Sequence, residues 1–179
     1  MLAFSRVAVM LAVVVSAMAA PEAKAQTSAE RAYFRAVAKF FQMPEGEIAI
    51  LGDWDLPPDE IPVVLFMARR AVVSPEALVA LRQSGHSWTD LARRYDIGAS
   101  ALHVPLRDQS SAGALAAVYK QFSDTPVDQW GGITLSSSDI VTLVNVRVLS
   151  QALGVPPDDI MRRTGTAPTF VDLYAQLLH

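Results

Sequence analysis

Carboxylates are the most numerous reactive side chains of this sequence, and the densest set is Glu45, Glu47, Asp53, Asp55, Asp59 and Glu60. Two acids flanking a glycosidic bond can hydrolyse it, one with a raised pKa as proton donor and the other as base or nucleophile, the chemistry of peptidoglycan lysis. Asp59 and Glu60, however, precede a predicted helix, where negative charge suits the positive end of the helix dipole. The other four sit in a polar loop, where solvated charge is the ordinary state. Asp53-x-Asp55 does not grow into a calcium loop, because Pro57 stands where another oxygen ligand belongs and no glycine completes the turn.

His86, His103 and His179 share no metal-ligand spacing with each other or with a carboxylate on the same helix face. No serine lies in a G-x-S-x-G elbow or an S-x-x-K pattern. The chain has no cysteine, which removes disulfides, thiol nucleophiles and thiolate metal sites together. No catalytic residue, cofactor or metal is therefore expected. Pro75 to Ile97 has the outline of a helix-turn-helix with Arg93-Arg94 in the reading position. Two arginines are too few for phosphate neutralisation, and the net charge is −3, so nucleic acid is not an expected partner.

One constellation invites recognition instead. In Gly52-Asp53-Trp54-Asp55-Leu56 a tryptophan lies between two acids, and such a group can stack on a cation or a sugar ring while the carboxylates hold donors. Asp53, Trp54 and Asp55 form the candidate binding site. The competing reading sinks Trp54 into the core and leaves both acids in water. Arg31, Arg35 and Lys39 recur every four residues opposite an apolar helix face, a solvated stripe that supports contact with anionic headgroups only weakly.

The elements that would position these residues follow from an internal repeat. Laid against itself at an offset of about 80, the chain matches in three ordered blocks. Val37, Lys39 and Phe41 meet Val118, Lys120 and Phe122; Gly52, Leu56, Glu60 and Ile61 meet Gly131, Leu135, Asp139 and Ile140; Ser87, Trp88, Asp90 and Leu91 meet Thr169, Phe170, Asp172 and Leu173. In this frame the acidic loop faces Gly131-Gly132-Ile133-Thr134-Leu135, which lacks both acids and the tryptophan.

Each copy reads as four helices. The first spans Ser28 to Phe41 with Ser28 as N-cap, and its partner spans Ala112 to Phe122. The second follows Asp59-Glu60 or Asp139; Val144 to Val148 alternates like a strand, but the good helix formers Met67 to Ala71 of the other copy favour a helix in both. The third opens at Ser74-Pro75 and at Pro156-Pro157, with proline at a position where its missing N–H is no loss. The fourth opens with Ser87-x-x-Asp90 and Thr169-x-x-Asp172, capping boxes that make Trp88 and Phe170 equivalent core anchors. The expected fold is all-α, two tandem four-helix repeats (28–96 and 110–178) joined by 97–109 and packed as a single helical domain over 26–179.

The stretch SPEALVALRQSGHSWTDLARRYDIG, with DIVTLVNVRVLSQALGVPPDDI in the second copy, resembles a group of exported bacterial helical proteins of unknown function. The resemblance implies no activity. Residues 1–25 read as a signal peptide: Arg6 is the positive start, Val7 to Ala19 is apolar, and Ala23-Lys24-Ala25 is a small-x-small cleavage site, with Ala17 and Ala19 allowing an earlier cut. The apolar run is too short to span a bilayer, so no stable membrane insertion is expected after its removal. Export to the periplasm or beyond, with a non-enzymatic binding or adaptor role toward an envelope protein or glycan, is the expected function. A carboxylate-dependent cell-wall-directed hydrolase and a structural envelope component are the rival classes.

Overall fold

The computed structural model describes residues 27–178; residues 1–26, and with them the expected signal peptide 1–25, lie outside them, as does His179. Ten α-helices and five short 3-10 turns make up the described residues, and no strand occurs among them. The helices are α1 (Ser28–Phe41), α2 (Ile48–Leu51), α3 (Ile61–Ala71), α4 (Pro75–Gln83), α5 (Trp88–Arg94), α6 (Ala99–Leu102), α7 (Ala116–Asp124), α8 (Ser137–Leu153), α9 (Pro157–Arg163) and α10 (Phe170–Leu177). No helix among the described residues is long and apolar enough to cross a membrane.

A side-chain cap explains five of the ten helix starts. Ser74 accepts the N–H of Ala77 ahead of Pro75. Ser87 and Thr169 each accept the amide of the acid three residues on and donate their hydroxyl to its carboxylate. Ser136 and Asp139 close a full capping box at α8. Two starts differ from expectation. At α1 the cap is Thr27, which exchanges bonds with Glu30, so Ser28 is already helical; only Thr27 has a carboxylate three residues on to return the bond. Helix α7 begins at Ala116 rather than Ala112, because Gly113 adopts φ 54°, ψ −125° and breaks the preceding 3-10 stretch Gln109–Leu115.

The centre of the fold is the packing of α8 against α1 and α3, with α5 and α9 also lying on α8 and α10 on α1. Residues 61–68 of α3 are all buried, as are Leu143, Val144, Val146, Val148 and Leu149 of α8. Val144 to Val148 is thus helical despite its β-branched residues, since burial on most sides outweighs a weak intrinsic preference. Asn145, fully buried at the centre, is satisfied on both ends: its Oδ1 accepts the Tyr33 hydroxyl, while Nδ2 donates to the carbonyls of Asp59 and Val141 at 2.8 Å. Burial holds the Tyr33 hydroxyl well above its usual pKa, with the Asp59 charge adding to the effect. It is a permanent donor.

Residues 97–109 are more than a tether. Ile97, Ala99, Leu102 and Val104 belong to the core, and α6 lies within the segment. Its far end is pinned by Asp158 of α9, which accepts the amides of Arg107 and Asp108 and the Ser111 hydroxyl. Burial opposes ionisation of Asp158, but those donors together outweigh it and hold the carboxyl below its ordinary pKa.

Trp88 is fully buried, beneath a guanidinium: Arg82 lies 5.3 Å over its ring and pairs with Glu60 at 2.8 Å. Phe170 departs from the expected equivalence, being only partly buried, whereas Leu91 and Leu173 three residues on are both sealed.

Candidate functional site

The predicted recognition residues fall on a single 3-10 turn, Gly52–Trp54, which ends at Asp55 in the left-handed conformation (φ 49°). Asp53 and Asp55 are exposed, and Trp54 is partly buried against the core. Gln83 of α4 donates from Nε2 to the Trp54 carbonyl at 2.9 Å, fixing the turn to the helix beside it. Ile50, four residues before Trp54, leaves 48 % of its surface exposed. On this segment Trp54 and Ile50 are partly in solvent, and the two acids next to Trp54 in sequence are exposed.

The three tryptophans have different fates. Trp88 is sealed in the core, and the Nε1 of Trp130 donates to the carbonyls of Phe122 and Thr125. Trp54 alone keeps a solvent-reached Nε1 without a hydrogen bond among the described residues.

Asp59 and Glu60 of the acidic set are engaged in structure. Asp59 accepts the Phe170 amide with both oxygens at 3.0 Å, capping α10 from across the chain. Burial raises its pKa, the amides of Phe170 and Val171 pull it down, and the charges of Asp172 and Glu60 add to the rise. Glu60 is committed to Arg82. A half-buried acid of raised pKa is the raw material of a proton donor, but this one has its oxygens on a helix amide.

Of the histidines, His179 lies outside the described residues. His86 is exposed in the turn before α5, and among the described residues no group of His, Asp or Glu side chains could hold a metal. His103 sits in an aromatic cluster, 4.6 Å from the ring centres of both Phe122 and Trp130. Burial, with the nearby Arg147 charge, lowers its pKa and so favours the neutral imidazole. The basic stripe Arg31, Arg35 and Lys39 is exposed.

Two further concavities were not legible in the sequence. A cleft of about 260 Å³ separates α5 and α6 from the segment 131–135, floored by Ala92, Ile97, Leu102 and Ile133, with Arg93 on its rim already tied to Asp90. A second, of about 290 Å³, is walled by Phe40, Phe41 and Phe66 and by Arg69, Arg70 and Arg147. It joins residues from α1, α3 and α8, and no local spacing connects Arg147 with Arg69 and Arg70.

No family model, curated protein or solved structure matches the chain. The functional reading rests on the geometry alone.

Proposed function

We propose that this chain is an exported, non-enzymatic binding or adaptor module of the cell envelope, engaging a protein or glycan through Asp53, Trp54 and Asp55. The observation that carries the reading is the uncommitted indole of Trp54, partly in solvent between two exposed acids on a turn anchored by Gln83. An aromatic face with a free N–H and flanking acceptors suits a cationic side chain or a sugar ring. Anchoring lowers the ordering cost of binding.

The same reading takes the fold as two tandem four-helix repeats, 28–96 and 110–178. In its support, the fourth helix of each proposed copy docks its start on the approach to the other copy's central helix. Thr89 of α5 donates to the Leu135 carbonyl at 2.9 Å ahead of α8, and Phe170 of α10 donates to Asp59 ahead of α3. Duplication then leaves the shared core to both copies, and the acidic turn to one.

Affinity capture from an envelope extract tests the role. The wild-type chain should retain a defined protein or glycan that the Asp53→Asn/Asp55→Asn double variant loses at least about tenfold, as removal of two charge-assisted bonds requires. Equal retention by both chains would contradict it. Export is tested separately by N-terminal sequencing of the mature protein, expected to begin at Gln26; an intact Met1 in the membrane fraction contradicts cleavage.

A further inference from the structure

Arg69, Arg70 and Arg147 converge on the phenylalanine-walled pocket without a carboxylate to balance them. The ion pairs among the described residues are Arg82–Glu60, Arg93–Asp90, Lys120–Asp124 and Arg162–Asp159, so none reaches these three. The guanidiniums of Arg70 and Arg147 lie 5.3 and 5.0 Å from the centre of the same Phe66 ring, and Arg69 lies 5.3 Å from that of Phe41.

Their hydrogen bonds show which are anchored. Arg147 donates to the carbonyls of Ala101 and His103 at 3.1 and 2.7 Å, and Arg69 donates to the Phe41 carbonyl. Arg70 makes no hydrogen bond among the described residues and is exposed. Two arginines are thus fixed by backbone, the third makes no hydrogen bond, and each guanidinium carries five N–H donors, most of them unspent here. Burial and the neighbouring Arg70 charge both depress the Arg147 pKa, a sign that the protein itself leaves this charge uncompensated.

We infer that this pocket binds an amphiphilic oxyanion: a phosphate or carboxylate head held by Arg69, Arg70 and Arg147, with the first part of an acyl or aryl body against Phe40, Phe41 and Phe66. The charge demands an anion, and planar guanidiniums suit the paired oxygens of these heads. The partly exposed Phe40, with the edges of the buried Phe41 and Phe66, favours an apolar continuation. The size bounds the ligand, since about 290 Å³ lies at the lower limit of small-molecule sites, which run from roughly 300 to 1,000 Å³. A head and a short stem fit, and the remainder of a longer molecule must leave the pocket. This inference does not depend on the role of Trp54.

Calorimetric titration of the purified chain with hexyl phosphate, inorganic phosphate and hexanol tests it. Hexyl phosphate should bind saturably, at least about tenfold more tightly than either fragment and at least about tenfold more weakly to Arg70→Gln. Because Arg70 makes no hydrogen bond or ion pair among the described residues and only an exposed contact with the Phe66 ring, that variant should melt within about 4 °C of the wild type. Arg163→Gln, which removes the same charge from the exposed side of α9, should bind as the wild type does. Unchanged affinity in Arg70→Gln, or hexyl phosphate binding no tighter than inorganic phosphate, overturns the inference. Sedimentation with vesicles identifies the source once binding is seen. Arg70-dependent pelleting with phosphatidylglycerol but not phosphatidylcholine makes the ligand a lipid headgroup, whereas hexyl phosphate binding without pelleting makes it a soluble amphiphile; both results uphold the pocket.

Discussion

Both oxygens of the Asp59 carboxylate lie 3.0 Å from the backbone nitrogen of Phe170, across 111 residues of sequence. An acid that sequence places at the start of α3 is in fact the partner of α10's first amide. Asp59→Ala should cost about 1 to 2 kcal/mol, the range for losing a helix cap, measured by urea denaturation.

The same carboxylate predicts a pH dependence. Its folded-state pKa is raised, chiefly by burial, so folding favours the protonated acid. That contribution is fully present below the unfolded value of about 4 and is lost as pH rises through the higher folded value. Asp59→Asn retains an acceptor but cannot ionise. The stability of the wild type relative to this variant should therefore fall as pH rises above about 4, as denaturation midpoints across that range would show.

Val72 ends α3 at φ 55°, a left-handed position where Gly154 ends α8 at φ 67°. A β-branched side chain is strained there, and at 90 % exposure Val72 gains little from packing. Val72→Gly should raise stability by about 1 kcal/mol, the penalty that left-handed backbone imposes on residues with a Cβ. A loss of stability in thermal melting would show that the side chain makes contacts outside the described residues.

Trp88 lies under the Arg82–Glu60 pair with no exposed surface, and its Nε1 finds no hydrogen-bond partner. Trp88→Ala should cost about 3 to 5 kcal/mol through the cavity it leaves. Trp88→Phe should cost much less, because it removes no hydrogen bond. Equal losses in the two variants would contradict this account of the site.

What was legible in the sequence was local. Ser74-Pro75, Ser87-x-x-Asp90 and Thr169-x-x-Asp172 announce helix starts because a cap and its donor lie within one turn. Asp53, Trp54 and Asp55 stay together on one turn for the same reason. The roles of Asp59 and Asp158 were hidden because their donors come from distant segments. The arginine pocket was hidden as well: Arg69-Arg70 reads as an ordinary helix C-terminus and Arg147 as one polar residue in an apolar run, and only the packing of α3 on α8 joins them.

The central claim is that Trp54 serves recognition rather than the core, and Trp54→Ala tests it when capture and stability are read on the same preparation. The account predicts loss of the captured envelope partner with a melting temperature lowered by less than about 4 °C, the shift expected for roughly 1 kcal/mol in a domain of this size. Retained capture with a much larger drop in melting temperature would contradict it and return Trp54 to the core.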